Sequence, residues 1–156
     1  MLDDTRVPHP AAVLHRVGRG QALYVPAALF RDFHHNRYPL TRVFVGDLLQ
    51  RLLPQPDVRA QAPVCVDIVL RRRAGALIVH ANNRASGIPN TPNNGAVDDI
   101  PAVGPITVRL RLDRPPRRVV LAFEPGTLDH EWQDGRLTVR LASVRIHAAI
   151  VIETDR

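Results

Sequence analysis

The sequence predicts a mainly β protein, an antiparallel β-sandwich preceded by a β-hairpin and one amphipathic helix. Residues 106–112, ITVRLRL, alternate apolar and polar side chains. Because successive side chains of a strand point to opposite faces, this stretch has one apolar and one polar face. Similar runs recur from residue 64 onward, and Asp134-Gly135 is a dipeptide typical of a type I′ hairpin turn. Short alternating strands separated by turns indicate a sandwich.

The first predicted element is a hairpin near the start of the chain. Its strands are expected at residues 11–17 and 21–25, joined by Gly18-Arg19-Gly20. Glycine adopts the positive φ angles that tight turns require, so this tripeptide suits the connection. Residues 27–37, which follow, are a mixed segment.

An amphipathic helix is predicted over residues 40–53. Pro39 suits the first helical turn, where its missing N–H has no partner to lose, and Pro54 ends the helix. The helically spaced apolar positions are Leu40, Val43, Phe44, Leu48, Leu49, Leu52 and Leu53. A hairpin and one helix are too small to bury this face, which therefore indicates an interface or an aggregation hazard.

The chain is expected to comprise a hairpin–helix segment, residues 1–54, a linker, residues 55–63, and a β-sandwich domain, residues 64–156. The linker is proline-rich and has room for one short extended piece. The sandwich strands are predicted at 64–72, 76–81, 106–112, 118–123, 132–133, 136–141 and 144–152. In the first of them, we expect Val64, Val66, Ile68 and Leu70 to face the core. Residues 83–105, rich in asparagine, proline and glycine, are expected to form a mobile surface excursion.

The net charge of +6 raises the possibility of a nucleic-acid partner, but the composition argues against it. All 21 basic residues are arginine, which is typical of compositional bias, and only residues 71–73 and 117–118 form basic clusters. Aromatic residues make up 4% of the chain, which leaves few platforms for stacking bases. We expect no nucleic-acid partner.

No apolar run approaches the roughly 18–20 residues that cross a bilayer. The opening residues, MLDDTRVPHP, also lack the basic and apolar regions of a signal peptide, so a cytoplasmic location and no membrane partner are expected. Cys65 is the single cysteine, which excludes an internal disulfide, and its valine neighbours favour an inert thiol.

No residue pattern predicts a catalytic, metal or cofactor site. The acidic pairs Asp3-Asp4, Asp98-Asp99, and Glu131 with Asp134 all lie in turn-like sequence, where solvated carboxylates are ordinary. His34-His35 with Asp32 lacks the spacing of known metal motifs. We therefore expect no catalytic residue, no metal ligand and no cofactor in this chain.

Trp132 and its neighbour His130 are the candidates for a carbohydrate contact. Trp132 is the only tryptophan, and exposed aromatic rings stack on sugars in binding modules. In a chain with few large side chains, however, a tryptophan at a hairpin more often anchors the core.

The order of elements resembles the C-terminal part of β-galactosidase-like glycoside hydrolases, which combine a catalytic barrel, an amidotransferase-like trimerisation domain and a terminal β-sandwich. The similarity is carried by Gly18-Arg19-Gly20 with Tyr24 and Pro26, by the helix of residues 40–53, by Val79-His80-Ala81-Asn82-Asn83, by Ile100-Pro101 and by Val108-Arg109-Leu110.

The resemblance implies that the hairpin and helix are the end of the amidotransferase-like, flavodoxin-like domain. It implies no catalytic residue here, since no matching position is catalytic in the family, and a structural role for His80 and Asn83 in tying strand to loop. The expected function is a non-catalytic structural and oligomerisation part of a glycoside hydrolase in carbohydrate metabolism. Its partners would be an upstream catalytic domain or a second copy, bound through Leu40–Leu53.

Two alternatives remain open. One is a stand-alone carbohydrate-binding module that uses Trp132 and the excursion of residues 83–105. The other is a small enzyme with a site around Asp32 and His34-His35, which would need convergent polar groups in a concave pocket.

Overall fold

The computed structural model describes residues 9–73, 75–85, 99–124 and 126–154. These residues form two compact units, Met1–Pro56, here called the hairpin–helix unit, and Asp57–Arg156, here called the sandwich unit. The mainly β, antiparallel fold class predicted from the sequence is confirmed.

The hairpin–helix unit contains strands β1 (Val13–Val17) and β2 (Gly20–Tyr24) and helices α1 (Leu29–Asn36) and α2 (Pro39–Leu52). Gly18 has φ of 56°, so the predicted glycine turn joins the two strands. Pro39 stands at the start of α2, as predicted, and α2 contacts β2 and α1. The segment 27–37 has more structure than its sequence indicated, because it includes a two-turn helix that ends with Arg37 in a left-handed conformation.

The sandwich unit contains eight described strands, one more than the seven predicted from the sequence. They are β3 (Val58–Gln61), β4 (Val66–Arg73), β5 (Ala76–Asn83), β6 (Ile106–Arg111), β7 (Arg118–Leu121), β8 (Asp129–Gln133), β9 (Arg136–Leu141) and β10 (His147–Glu153). Sheet I has the order β3-β6-β9-β8, and sheet II has the order β4-β5-β10-β7. Most connections cross between the sheets, whereas β4–β5 and β8–β9 are local hairpins.

The core lies between the inward faces of the two sheets. Strand β5 alternates between half-buried and buried residues along its whole length, and β6 and β9 alternate in the same manner. The side chains with no more than 1% exposure are Val79, Ala81, Ile106, Val108, Val119, Leu137, Val139, Ile150 and Ile152. The alternation read from residues 106–112 therefore predicts the inward face of β6 correctly.

The hairpin of β8 and β9 turns at Asp134 and Gly135, with φ angles of 50° and 74°. Positive φ at both central residues defines the type I′ turn that this dipeptide predicted.

Several local expectations differ from the structure. The strand expected from Val144 begins at His147, and the strand expected to reach Phe123 ends at Leu121. Val64, expected in the core, is 76% exposed, because it lies in a turn closed by the bond from Val66 N–H to the Pro63 carbonyl, and β4 begins only after it. Residues 58–61 of the expected linker form β3, since their backbone pairs with β6 at the edge of sheet I. The compact sandwich unit accordingly starts at Asp57. Of the expected excursion, residues 86–98 lie outside the described residues.

Candidate functional site

The Asn83 side chain joins three segments at one end of sheet II. Its amide nitrogen Nδ2 donates to the Pro101 and Arg145 carbonyls at 2.8 and 2.7 Å, and its Oδ1 accepts the Ala85 N–H at 2.8 Å. Asn83 is 8% exposed and is the one buried polar residue among those described. Its expected role in tying strand to loop is confirmed, and that role is structural.

His80 does not tie its strand to a loop. Its Nδ1 lies 3.0 Å from Nε2 of His147, which stands on the neighbouring strand β10. The partner of the His80 side chain thus differs from the one that the resemblance implied, because the pairing of β5 with β10 brings the two rings together.

Trp132 and His130, the predicted carbohydrate candidates, both lie on β8 at the edge of sheet I. Their register partners Leu137 and Val139 are fully buried, so both rings point toward the inner face. The Trp132 indole N–H donates to the Leu112 carbonyl at 3.1 Å, and His130 Nδ1 lies 2.7 Å from the Leu128 carbonyl. Trp132 is nevertheless 36% exposed, so its ring both packs and meets solvent. Their part in saccharide binding stays a prediction.

An open cleft of about 310 Å³ lies beside Leu112, at the end of the sandwich where β4, β5 and β6 meet. Its lining residues are Arg72, Leu77, Arg111, Leu112, Asp113, Arg114 and Thr154. Leucine side chains form the apolar part, whereas guanidinium and carboxylate groups supply donors and acceptors for hydroxyl-bearing ligands. The bond from Trp132 to Leu112 places the indole next to this cleft.

The residues of the alternative enzyme site, Asp32, His34 and His35, all lie on α1. The rings of His34 and His35 meet edge to face with centroids 5.4 Å apart, and the Asp32 carboxylate lies 3.6 Å from Arg31. In the described part of the chain, no group of three or more histidine, cysteine or acidic side chains is placed to hold a metal ion. Glu131 likewise pairs with Arg140 at 3.4 Å rather than with Asp134.

Helix α2 exposes several large apolar side chains. Val45, Leu48 and Leu52 are half-buried at helical spacing. The exposed apolar residues of the helix and its C-cap, here called the α2 surface, are Leu40, Val43, Phe44, Leu49 and Leu53. None of the described residues 9–56 is fully buried, so the described part of this unit has no closed core.

Neither described helix has the length and hydropathy needed to cross a membrane. The fold and sites thus define a chain of two parts. One is an antiparallel β-sandwich in which Asn83 joins three segments at one end, and the other is a hairpin–helix unit that exposes apolar residues of α2.

The chain is similar in structure to α-L-fucosidase isoenzyme 2 from Paenibacillus thiaminolyticus, with a TM-score of 0.70 and 18% sequence identity. The similarity covers 86% of this chain and 21% of the fucosidase chain, so this protein spans about a fifth of that enzyme. The sandwich unit makes up less than two-thirds of the chain, so the matched fold also includes part of the hairpin–helix unit. No protein-family model and no curated protein matches the sequence.

Sequence reasoning did not find the His80–His147 contact or the cleft beside Leu112. The alternating pattern places His80 on the outward face of its strand, but which strand becomes its neighbour depends on the sheet order. The cleft likewise combines residues from three strands, from the loop that follows β6 and from the residue that follows β10.

Proposed function

We propose that this chain is a non-catalytic structural and oligomerisation part of a glycoside hydrolase, built like the C-terminal region of the β-galactosidase-like enzymes. The observation that carries the proposal is the fold shared with a fifth of an α-L-fucosidase, a match that extends across both units of this chain.

The hairpin–helix unit supports the same function. A unit whose described residues include no fully buried side chain buries too little apolar surface to be stable in isolation. Apolar helix faces of this kind mark protein interfaces, and the α2 surface would be covered by a catalytic domain or by a second copy of the chain.

Identification of the native polypeptide that contains this chain, and of its partners, would test the proposal. An antibody raised against the purified chain would capture that polypeptide from its own cells, and tryptic peptides would identify what accompanies it. We expect peptides from a glycosidase barrel in the same polypeptide or in a stoichiometric complex, and recovery from the cytoplasmic fraction. A captured polypeptide that contains only these 156 residues and elutes as a monomer would reject the proposal.

A pair of substitutions in that native polypeptide tests the α2 surface. Leu49, 56% exposed here, would be buried against its partner, so Leu49→Arg should lower the free energy of unfolding on the order of 3 kcal/mol by burying an unpaired charge. The adjacent Gln50→Arg adds the same charge at an exposed polar position and should change it by less than about 0.5 kcal/mol. Equal effects of the two substitutions in thermal unfolding would show that the surface is not covered.

Saccharide binding is a second candidate function, favoured by the partly exposed Trp132 beside the cleft. If galactosyl or fucosyl oligosaccharides bind on a glycan array, Trp132→Ala should weaken the binding about tenfold, as loss of an aromatic contact does. Phe123→Ala, which removes a fully exposed ring in the same unit, should leave it unchanged. Trp132→Phe keeps an aromatic ring but loses the hydrogen bond to the Leu112 carbonyl. If Trp132→Ala binds the saccharide as tightly as the unsubstituted chain, this alternative is wrong.

A further inference from the structure

Two histidine rings meet on the outward face of sheet II. His80 Nδ1 lies 3.0 Å from His147 Nε2, and the rings stack with centroids 5.2 Å apart and an interplanar angle of 21°. They stand on β5 and β10, the two central strands of the sheet, which pair over seven residues. The positions of both rings are therefore set by regular backbone rather than by a loop.

The register explains why the rings touch. His80 stands opposite Ala149 and His147 stands opposite Asn82, so the histidines are diagonal neighbours two positions apart. Diagonal neighbours are within reach of aromatic side chains. Ala149 is small and leaves room for the His80 ring, which is half-buried.

The distance between the two nitrogens is close to that of a metal chelate. Imidazole nitrogens bind Zn²⁺ at about 2.0–2.1 Å, and two such ligands in a tetrahedral site are roughly 3.3 Å apart. A separation of 3.0 Å therefore needs a shift of a few tenths of an ångström and ring rotations that turn both lone pairs toward the ion.

We propose that His80 and His147 form a binding site for one divalent transition-metal ion, Zn²⁺, Ni²⁺ or Cu²⁺. The hydrogen bond between the two rings places one N–H proton between Nδ1 of His80 and Nε2 of His147. When the ion binds, that proton moves to the other nitrogen of its own ring, so that both facing nitrogens coordinate the metal. Imidazole is a preferred ligand of these three ions.

The neighbouring side chains leave the site open on its solvent side. Asn82 is the cross-strand partner of His147, and Asp67 is the partner of Asn82 on the next strand. By this register, the amide oxygen of Asn82 is the nearest further group that could donate an electron pair to the metal ion. The Asp67 carboxylate is held by Arg84 at 3.1 Å. Water therefore completes the coordination sphere, and the metal links β5 to β10. This site is independent of the proposed glycosidase context.

Titration of the tag-free chain with Zn²⁺, Ni²⁺ and Cu²⁺, followed by calorimetry, tests the site. We expect one ion per chain and a rise in the thermal midpoint. His80→Gln and His147→Gln should each weaken the affinity tenfold or more. His34→Gln with His35→Gln removes the other adjacent histidine pair and should leave the affinity unchanged.

NMR spectra of the histidine rings in the unsubstituted chain provide a second test, which does not depend on whether the variants fold. Zn²⁺ should shift the ring resonances of His80 and His147 and leave those of the other histidines in place. Binding that survives in the His80→Gln, His147→Gln double variant, or shifts confined to other histidines, would overturn the proposal. Absence of one-to-one binding at millimolar metal would also overturn it, and the pair would then be a cross-strand hydrogen bond only.

Discussion

Replacing Ile152 with alanine is expected to lower the free energy of unfolding of the sandwich unit by about 2–5 kcal/mol, the range for large-to-small changes in a core. Ile152 is fully buried on β10 and stands between Leu77 and Val119 in the register of sheet II. Truncation removes apolar contacts and leaves a cavity that rigid neighbouring strands cannot close. Since a domain of this size is stable by only about 5–15 kcal/mol, the effect is a large part of the total.

Urea unfolding followed by tryptophan fluorescence measures this effect. Trp132 is the only tryptophan and belongs to the sandwich unit, so its signal reports the unfolding of that unit. The matched control is Ile146→Ala, the same chemical change at a position that is 60% exposed, where we expect less than about 0.5 kcal/mol. If both variants unfold at the same urea concentration with the same slope, the described core is wrong.

Asn83→Ala is expected to have the second large effect and to lower the free energy of unfolding by roughly 2–4 kcal/mol. The Asn83 amide group donates to the Pro101 and Arg145 carbonyls and accepts the Ala85 N–H. Alanine leaves these backbone groups without their partner around the buried position of Asn83, where the bonds are part-buried. Because one side chain holds segments more than 60 residues apart, its loss also frees the chain on both sides.

Asn82→Ala is the control for this substitution. Asn82 is the adjacent asparagine, half-buried on the outward face of the same strand, and its truncation should cost less than about 0.5 kcal/mol. Hydrogen exchange adds a local measurement, because the Ala85 amide should exchange faster in Asn83→Ala and unchanged in Asn82→Ala. Equal stability of the two variants would show that Asn83 does not join these segments.

Some elements were predictable because their signals are local. The alternation of residues 106–112 describes one strand, and the positive φ angles at Asp134 and Gly135 are those of the expected turn. The helical spacing between Pro39 and Pro54 likewise predicts α2 to within one residue at each end. In each case, the determining interactions lie within a few residues of one another.

Other elements were missed because distant residues create them. Strand β3 has four residues in a proline-rich segment and exists through its backbone pairing with β6. Helix α1 has eight residues and no fully buried side chain, and two turns are too short a stretch for a helical period to be read from the sequence. Val64 belongs to an alternating run, but a turn precedes the strand and directs it outward.

The sequence by itself determined that this protein has a hairpin and an apolar helix followed along the chain by a β-sandwich, because side-chain alternation and turn conformation depend on adjacent residues. Only the tertiary structure decided which strands are neighbours. It thereby brought His80 to His147, Asn83 to Arg145 and Trp132 to Leu112 across separations of 67, 62 and 20 residues. Contacts of this kind follow from sheet order and register, which no single stretch of the chain encodes.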